Sequence, residues 1–195
     1  MYKRQLLGPL IFGLVFLGVV AATVYVLLFT SWINPLTATK ESAPAENAQV
    51  IFSGNNIGQL RQARGNVIQQ DPSNSSVVWL RSSLTAANAT GATDGVSVAV
   101  PRDFAAKARR VRVTVSARGG GGANQAPFAL AYSAGSGGNT GWLVFEPTDT
   151  FKDFSFNFTL PRAALGSSHY VGIWSDITGR GAPLAIRRIT TTPLP

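Results

Sequence analysis

Apolar residues are distributed along this chain in two different ways. From Leu6 to Phe29 they are almost continuous, LLGPLIFGLVFLGVVAATVYVLLF, 24 residues without a charge, 16 of them Leu, Ile, Val or Phe. As an α-helix rising about 1.5 Å per residue, such a stretch is roughly 36 Å long, enough for a hydrocarbon core of about 30 Å with some tilt. Beyond it the pattern changes to short runs, several of which alternate. Val77–Leu80, GVSVAV at 95–100, RRVRVTVSA at 109–117, PFALAYS at 127–133, GWLVFE at 141–146, DFSFNFTL at 153–160, HYVGIWS at 169–175 and PLAIRRITT at 183–191 each read as a strand. In the third, Val111, Val113 and Val115 share one face, with Arg110, Arg112, Thr114 and Ser116 on the other. In the sixth, Phe154, Phe156 and Phe158 share a face, and this triplet is expected to oppose the valines across one core. Residues 49–70 give weak signals: a short run Val50-Ile51-Phe52, then GNNIGQLRQARGNVIQQ, read as loop or brief helix. Gly119 to Gly122 reads as a flexible loop.

The long apolar run predicts an uncleaved membrane anchor, a transmembrane helix over residues 6–30. Lys3, Arg4 and the amino terminus precede it, whereas the 20 residues after it offer Lys40 offset by Glu41 and Glu46. The positive-inside rule then puts residues 1–5 in the cytoplasm and residues 50–195 outside it, at a bacterial-type inner membrane with a periplasmic domain. Tyr2 and Trp32 suit the two interfaces. A cleaved signal peptide is the rival, with Ala43-Pro44-Ala45 as the cleavage site, but the run exceeds a signal core of about 7 to 15 residues. Gly18 and Ala22 form a small-xxx-small pair that suits helix packing. Residues 31–49, polar and carrying Pro35 and Pro44, read as a tether.

Composition narrows the chemistry. The chain has 195 residues and no cysteine, so neither disulfides nor thiolate chemistry is available. From residue 50 onward, 14 Lys and Arg stand against 7 Asp and Glu, a net +7. For an extracytoplasmic domain this charge points away from nucleic acid and toward anionic head groups or an acidic protein surface.

The order RVRVTVSARGG, FALAYS, W-x-x-F with a Thr-rich turn, FKDFSFNFTLP, YVGIWSD and LAIRRI resembles the galactose-binding-like jelly roll of carbohydrate-binding modules, in particular the family 4/9 type. The resemblance covers about residues 75–192 and implies an all-β jelly-roll sandwich of about eight antiparallel strands. It also implies a structural calcium near an acidic pair in the last strand, where this chain has Arg187 and Arg188 instead. Cationic side chains cannot ligate calcium, so no metal and no cofactor is expected. The valine strand is expected beside the last strand, facing Arg110 and Arg112 toward Arg187 and Arg188. These four arginines are candidates for docking an acidic partner.

No catalytic residue is expected. His169 is the sole histidine, and Glu146, Asp149 and Asp153 cluster around a turn, whereas a glycosidase needs two carboxylates about 5 to 9.5 Å apart across a cleft. Trp142, Tyr170 and Trp174 could stack on sugar rings. Two functions remain. The first is a non-enzymatic single-pass membrane protein whose jelly roll is an accessory, stabilising or docking subunit of a larger membrane complex. The alternative is a membrane-tethered carbohydrate-binding module for cell-envelope glycan.

Overall fold

A computed structural model of the chain describes residues 47–121, 125–161 and 167–194. The anchor, Gly18, Ala22 and residues 31–46 of the tether lie outside the described residues, and no described helix is long and apolar enough to cross a membrane. The described strands are β1 (Gln49–Ser53), β2 (Leu60–Gln62), β3 (Asn66–Gln70), β4 (Val78–Ser82), β5 (Val96–Val100), β6 (Arg110–Gly119), β7 (Phe128–Ser133), β8 (Leu143–Phe145), β9 (Lys152–Thr159), β10 (His169–Trp174) and β11 (Leu184–Leu194). The eight alternating segments all appear, as β4 to β11. The stretch expected to be loop or helix holds two further strands, β2 and β3, and Gln49, assigned to the tether, opens β1. Pro101 ends β5 and one short helix, α1 (Arg102–Lys107), follows.

The strands form two antiparallel sheets packed face to face. The larger runs β3-β4-β11-β6-β9, with β1 beside β4 on the same edge of β11; the smaller runs β2-β5-β10-β7-β8. β11 is the hub of the larger sheet, pairing with β6 along one side and with β4 and β1 along the other. Its register shifts between Ile186 and Arg188, a bulge that lets two successive arginines reach solvent where a regular strand would bury one.

The core lies between the sheets. Phe52, Leu80, Val111, Val113, Val115, Ile186 and Ile189 meet Val96, Val98, Phe128, Leu130, Tyr132, Val171 and Ile173. The valine and phenylalanine triplets do not oppose each other, contrary to expectation. β6 and β9 are hydrogen-bonded neighbours, with Val111, Val113 and Val115 beside Phe158, Phe156 and Phe154. Phe154 instead meets the opposite sheet edge-on at Phe128, 4.9 Å between centroids.

At one end the sheets are joined by polar groups. Ser82 Oγ donates to Asn66 Oδ1 at 2.7 Å and lies 3.0 Å from Ser175 Oγ, while the Ser175 N–H donates to Ser82 Oγ. All three residues are buried, so each hydrogen bond replaces lost water and fixes the end of β10 against β3 and β4.

Candidate binding faces of the sandwich

A sandwich has two outer faces, and here they differ in chemistry. On the smaller sheet, alternation sends Val171 and Ile173 into the core and Tyr170, Gly172 and Trp174 outward. The outward row is nonetheless covered over most of its length. The segment Leu84–Asp94, with two short 3-10 turns, crosses it and buries Ala92 completely. A side chain at Gly172 would meet Ala92 O at 2.3 Å, so only glycine lets the segment lie on the strand. Trp174 Nε1 donates to Leu84 O at 2.9 Å, and Asn139 Nδ2 to Thr90 O at 3.0 Å. The Asp94 carboxylate accepts from the Thr90 and Gly91 N–H groups, which tightens the strap.

The three candidate sugar-stacking aromatics are therefore placed differently. Trp174 is 3% exposed, beneath the strap. Trp142 is half-buried and meets it edge-on, 5.4 Å between centroids at 79°, so the two indoles form no flat platform. Trp142 Nε1 is buried without a hydrogen-bond partner among the described residues. Tyr170 stands half-exposed between Ala99 and Ser133, beyond the strap.

The outer face of the larger sheet is open and basic. Arg110, Arg112, Thr114, Ser116 and Arg118 succeed one another along β6, flanked by Arg187, Arg188, Thr190 and Thr192 of β11 and by Asp153, Ser155 and Asn157 of β9. β6 and β11 are neighbours as expected, but the register corrects the expected facing of like charges. Arg112 pairs with Thr192 and Asn157, Arg110 with Leu194 and Thr159, and Arg188 with Ser116. Arg112 Nε donates to Asn157 Oδ1 at 3.2 Å, and Arg188 lies 3.7 Å from Asp153. Such an exposed ion pair contributes little to stability.

At one end of this face, cations and rings alternate. The Arg118 guanidinium lies 4.9 Å from the Trp79 ring centroid and 5.2 Å from that of Phe151, and Arg187 lies 4.8 Å from Phe151 on its other contact. Arg187 Nε also donates to Ser116 Oγ at 2.8 Å, and Trp79 Nε1 to Asp71 Oδ2 at 3.0 Å. Hydrogen bonds from the Ser73 N–H and from Trp79 hold the Asp71 carboxyl below its ordinary pKa. Beneath the stack Ala185, fully buried, pairs with Trp79 on one side and Arg118 on the other. Arg118, Trp79 and Phe151 were not among the sequence candidates, although Arg118 continues the two-residue step from Arg110.

Several other titratable groups are engaged locally. His169 is buried with Nδ1 2.9 Å from the Tyr132 hydroxyl, whose pKa burial pushes up. Asp149 accepts from Gln125 Nε2, Asp153 faces Arg188, and Glu146 is exposed. Asp176 is buried after β10. Burial works to raise its pKa, but hydrogen bonds from Thr178 and from the Ala182 N–H outweigh that and keep it ionised below the usual range. Among the described residues no three His, Cys, Asp or Glu side chains group so as to hold a metal ion.

No family model matches the chain, and no curated protein matches it. Solved structures do. The CBM22-1 xylan-binding domain from Paenibacillus barcinonensis Xyn10C superposes with a TM-score of 0.50 at 15% identity, covering 78% of this chain and 100% of that one. The C-terminal family 22 carbohydrate-binding module of Clostridium thermocellum Xyn10B gives 0.49 at 16%, covering 78% and 96%. A family 4 module gives 0.43 at 12%, covering 83% and 99%. At these identities the likeness is one of fold: the two-sheet antiparallel sandwich is an architecture that carbohydrate-binding modules share.

Proposed function

We propose that the domain is a non-catalytic jelly-roll module that binds glycan, carried at the extracytoplasmic face of a membrane by residues 6–30. The observation that carries this reading is the sandwich itself, matched over the full length of a domain whose structure is described as xylan-binding. The carboxylates fit a non-catalytic role: Asp149 and Asp153 are engaged separately at the surface, and Glu146 stands exposed. Burial of Trp174 under the strap moves the expected contact surface away from the indole pair and leaves Tyr170 and the arginine face to meet a ligand.

One observation favours a second reading, an accessory or docking subunit of a membrane complex. The open arginine face would complement an acidic protein surface and speed association in a salt-dependent way. Affinity electrophoresis of the full chain in a neutral detergent, through gels containing cell-envelope polysaccharides, xylan and pectins, separates the two. Retardation by at least one polysaccharide, with no reducing ends released, is expected. Unretarded migration in every gel, with membrane proteins co-purifying from native membranes, would replace the glycan reading by the docking one.

A further inference from the structure

We infer that the arginine-bearing outer face of the larger sheet is the binding site for an acidic glycan, a chain carrying uronate or sulfate groups that lies along β6 and β11. The inference rests on the glycan reading above and names its ligand class and its surface. Its centre is the alternating stack of Trp79, Arg118, Phe151 and Arg187. A ring against the face of a guanidinium leaves the N–H edge free and fixes its direction, which lowers the side-chain entropy lost when an anion binds. The donors remain available. The Arg118 guanidinium makes no hydrogen bond among the described residues, and that of Arg187 spends only Nε, on Ser116. Each planar fork matches a carboxylate or sulfate with two parallel hydrogen bonds.

The neighbourhood favours a sugar chain over other anions. Arg110 and Arg118 lie eight residues apart on one strand face, so the cations extend over about 27 Å, a length suited to a polymer and too long for one monosaccharide. Between them the face offers Thr114, Ser155, Asn157 and Thr190, hydroxyl and amide groups that can hydrogen-bond sugar hydroxyls. The large exposed apolar side chains of this sheet, Val50 and Val67, are on the edge strands β1 and β3, outside the arginine rows. Arg110, Arg112, Arg118, Arg187 and Arg188 stand against the carboxylates of Asp71 and Asp153, so the face keeps a net positive charge.

The test uses the full chain in neutral detergent with four polymers: polygalacturonate, the same polymer after carboxyl reduction, neutral xylan and poly-L-glutamate. Polygalacturonate should bind with an affinity that falls as salt rises. R118S/R187S should weaken that binding by about tenfold or more, the loss expected for charge-assisted hydrogen bonds. R118K/R187K keeps both charges and loses both forks, and should also bind more weakly than wild type. An unchanged unfolding temperature shows that each variant is folded. Carboxyl-reduced polymer or xylan binding as tightly as polygalacturonate, with the variants silent, overturns the inference and leaves the glycan reading intact. Binding to no glycan removes that reading too. Poly-L-glutamate binding as tightly as polygalacturonate, with the same loss in R118S/R187S, also overturns the inference and assigns the face to an acidic protein.

Discussion

At position 172 the strap and β10 approach so closely that no side chain fits between them. A methyl group there would come within 2.3 Å of a backbone oxygen, which cannot swing aside as a side-chain tip can. Gly172→Ala should therefore destabilise the fold by about 1 to 3 kcal/mol, the usual cost of overpacking. It should also red-shift tryptophan emission as water reaches Trp142 and Trp174; an unchanged melting temperature and spectrum would mean that the strap does not rest on the strand. Alternation puts Trp174 on one face with Tyr170 and Gly172, opposite Val171 and Ile173. Its burial is another matter, because the cover comes from residues about 90 positions earlier that show no periodicity. The arginine face divides in the same way. Arg110 and Arg112 follow from the step of two along β6, and the same step, continued through Thr114 and Ser116, reaches Arg118 just past the end of the expected strand at Ala117. The stack on Trp79 and Phe151 depends on pairings with β4 and on the turn before β9, which local sequence does not encode.

Among the elements, the strap is tightened from within by one acidic residue. Burial works to raise the Asp94 pKa, but the Thr90 and Gly91 N–H groups and the Thr90 hydroxyl outweigh it, and the net shift is downward. A carboxyl with a lowered folded pKa contributes stability that is present above its unfolded value, about 3.9, and disappears as pH falls through the lower folded value. Wild-type tryptophan emission should thus hold steady from neutral pH to about 4 and shift on further acidification. Asp94→Asn should start from the loosened spectrum at neutral pH, and the difference between the two proteins should close in acid. A difference that stays constant across that window would assign the strap's hold to other contacts. Residues 49–70 contain strands that local pattern does not reveal. β2 spans three residues, β3 pairs with β4 alone, and neither has a clean alternation, since each is an edge strand with one unpaired side. The bulge in β11 is equally silent in sequence, yet it decides that both Arg187 and Arg188 face outward.

For the molecule as a whole, periodicity identifies which side chains turn inward but not which strands become neighbours. The valine and phenylalanine triplets illustrate this: each lies on the core side as alternation requires, yet β6 and β9 sit side by side instead of face to face. The strand order has a further consequence. β11 joins β4 and β1 to β6 and β9, and it follows every other described strand in the chain. From the end of β9 at Thr159 to the start of β11 at Leu184 is 25 residues, about 1 to 5 s of synthesis at roughly 5 to 20 residues per second. During that interval the growing chain has the pairs β3-β4 and β6-β9 and the single strand β1, all meant for one sheet, with nothing to join them and bare hydrogen-bonding edges. A chain ending at residue 183 should freeze this state, binding a hydrophobic dye and precipitating where the full chain stays dispersed; a monomeric, cooperatively melting product would show that the halves stand without their joint. The nascent domain therefore spends its seconds of greatest exposure just before completion, when a protease or a second nascent chain can reach the edges that β11 later occupies.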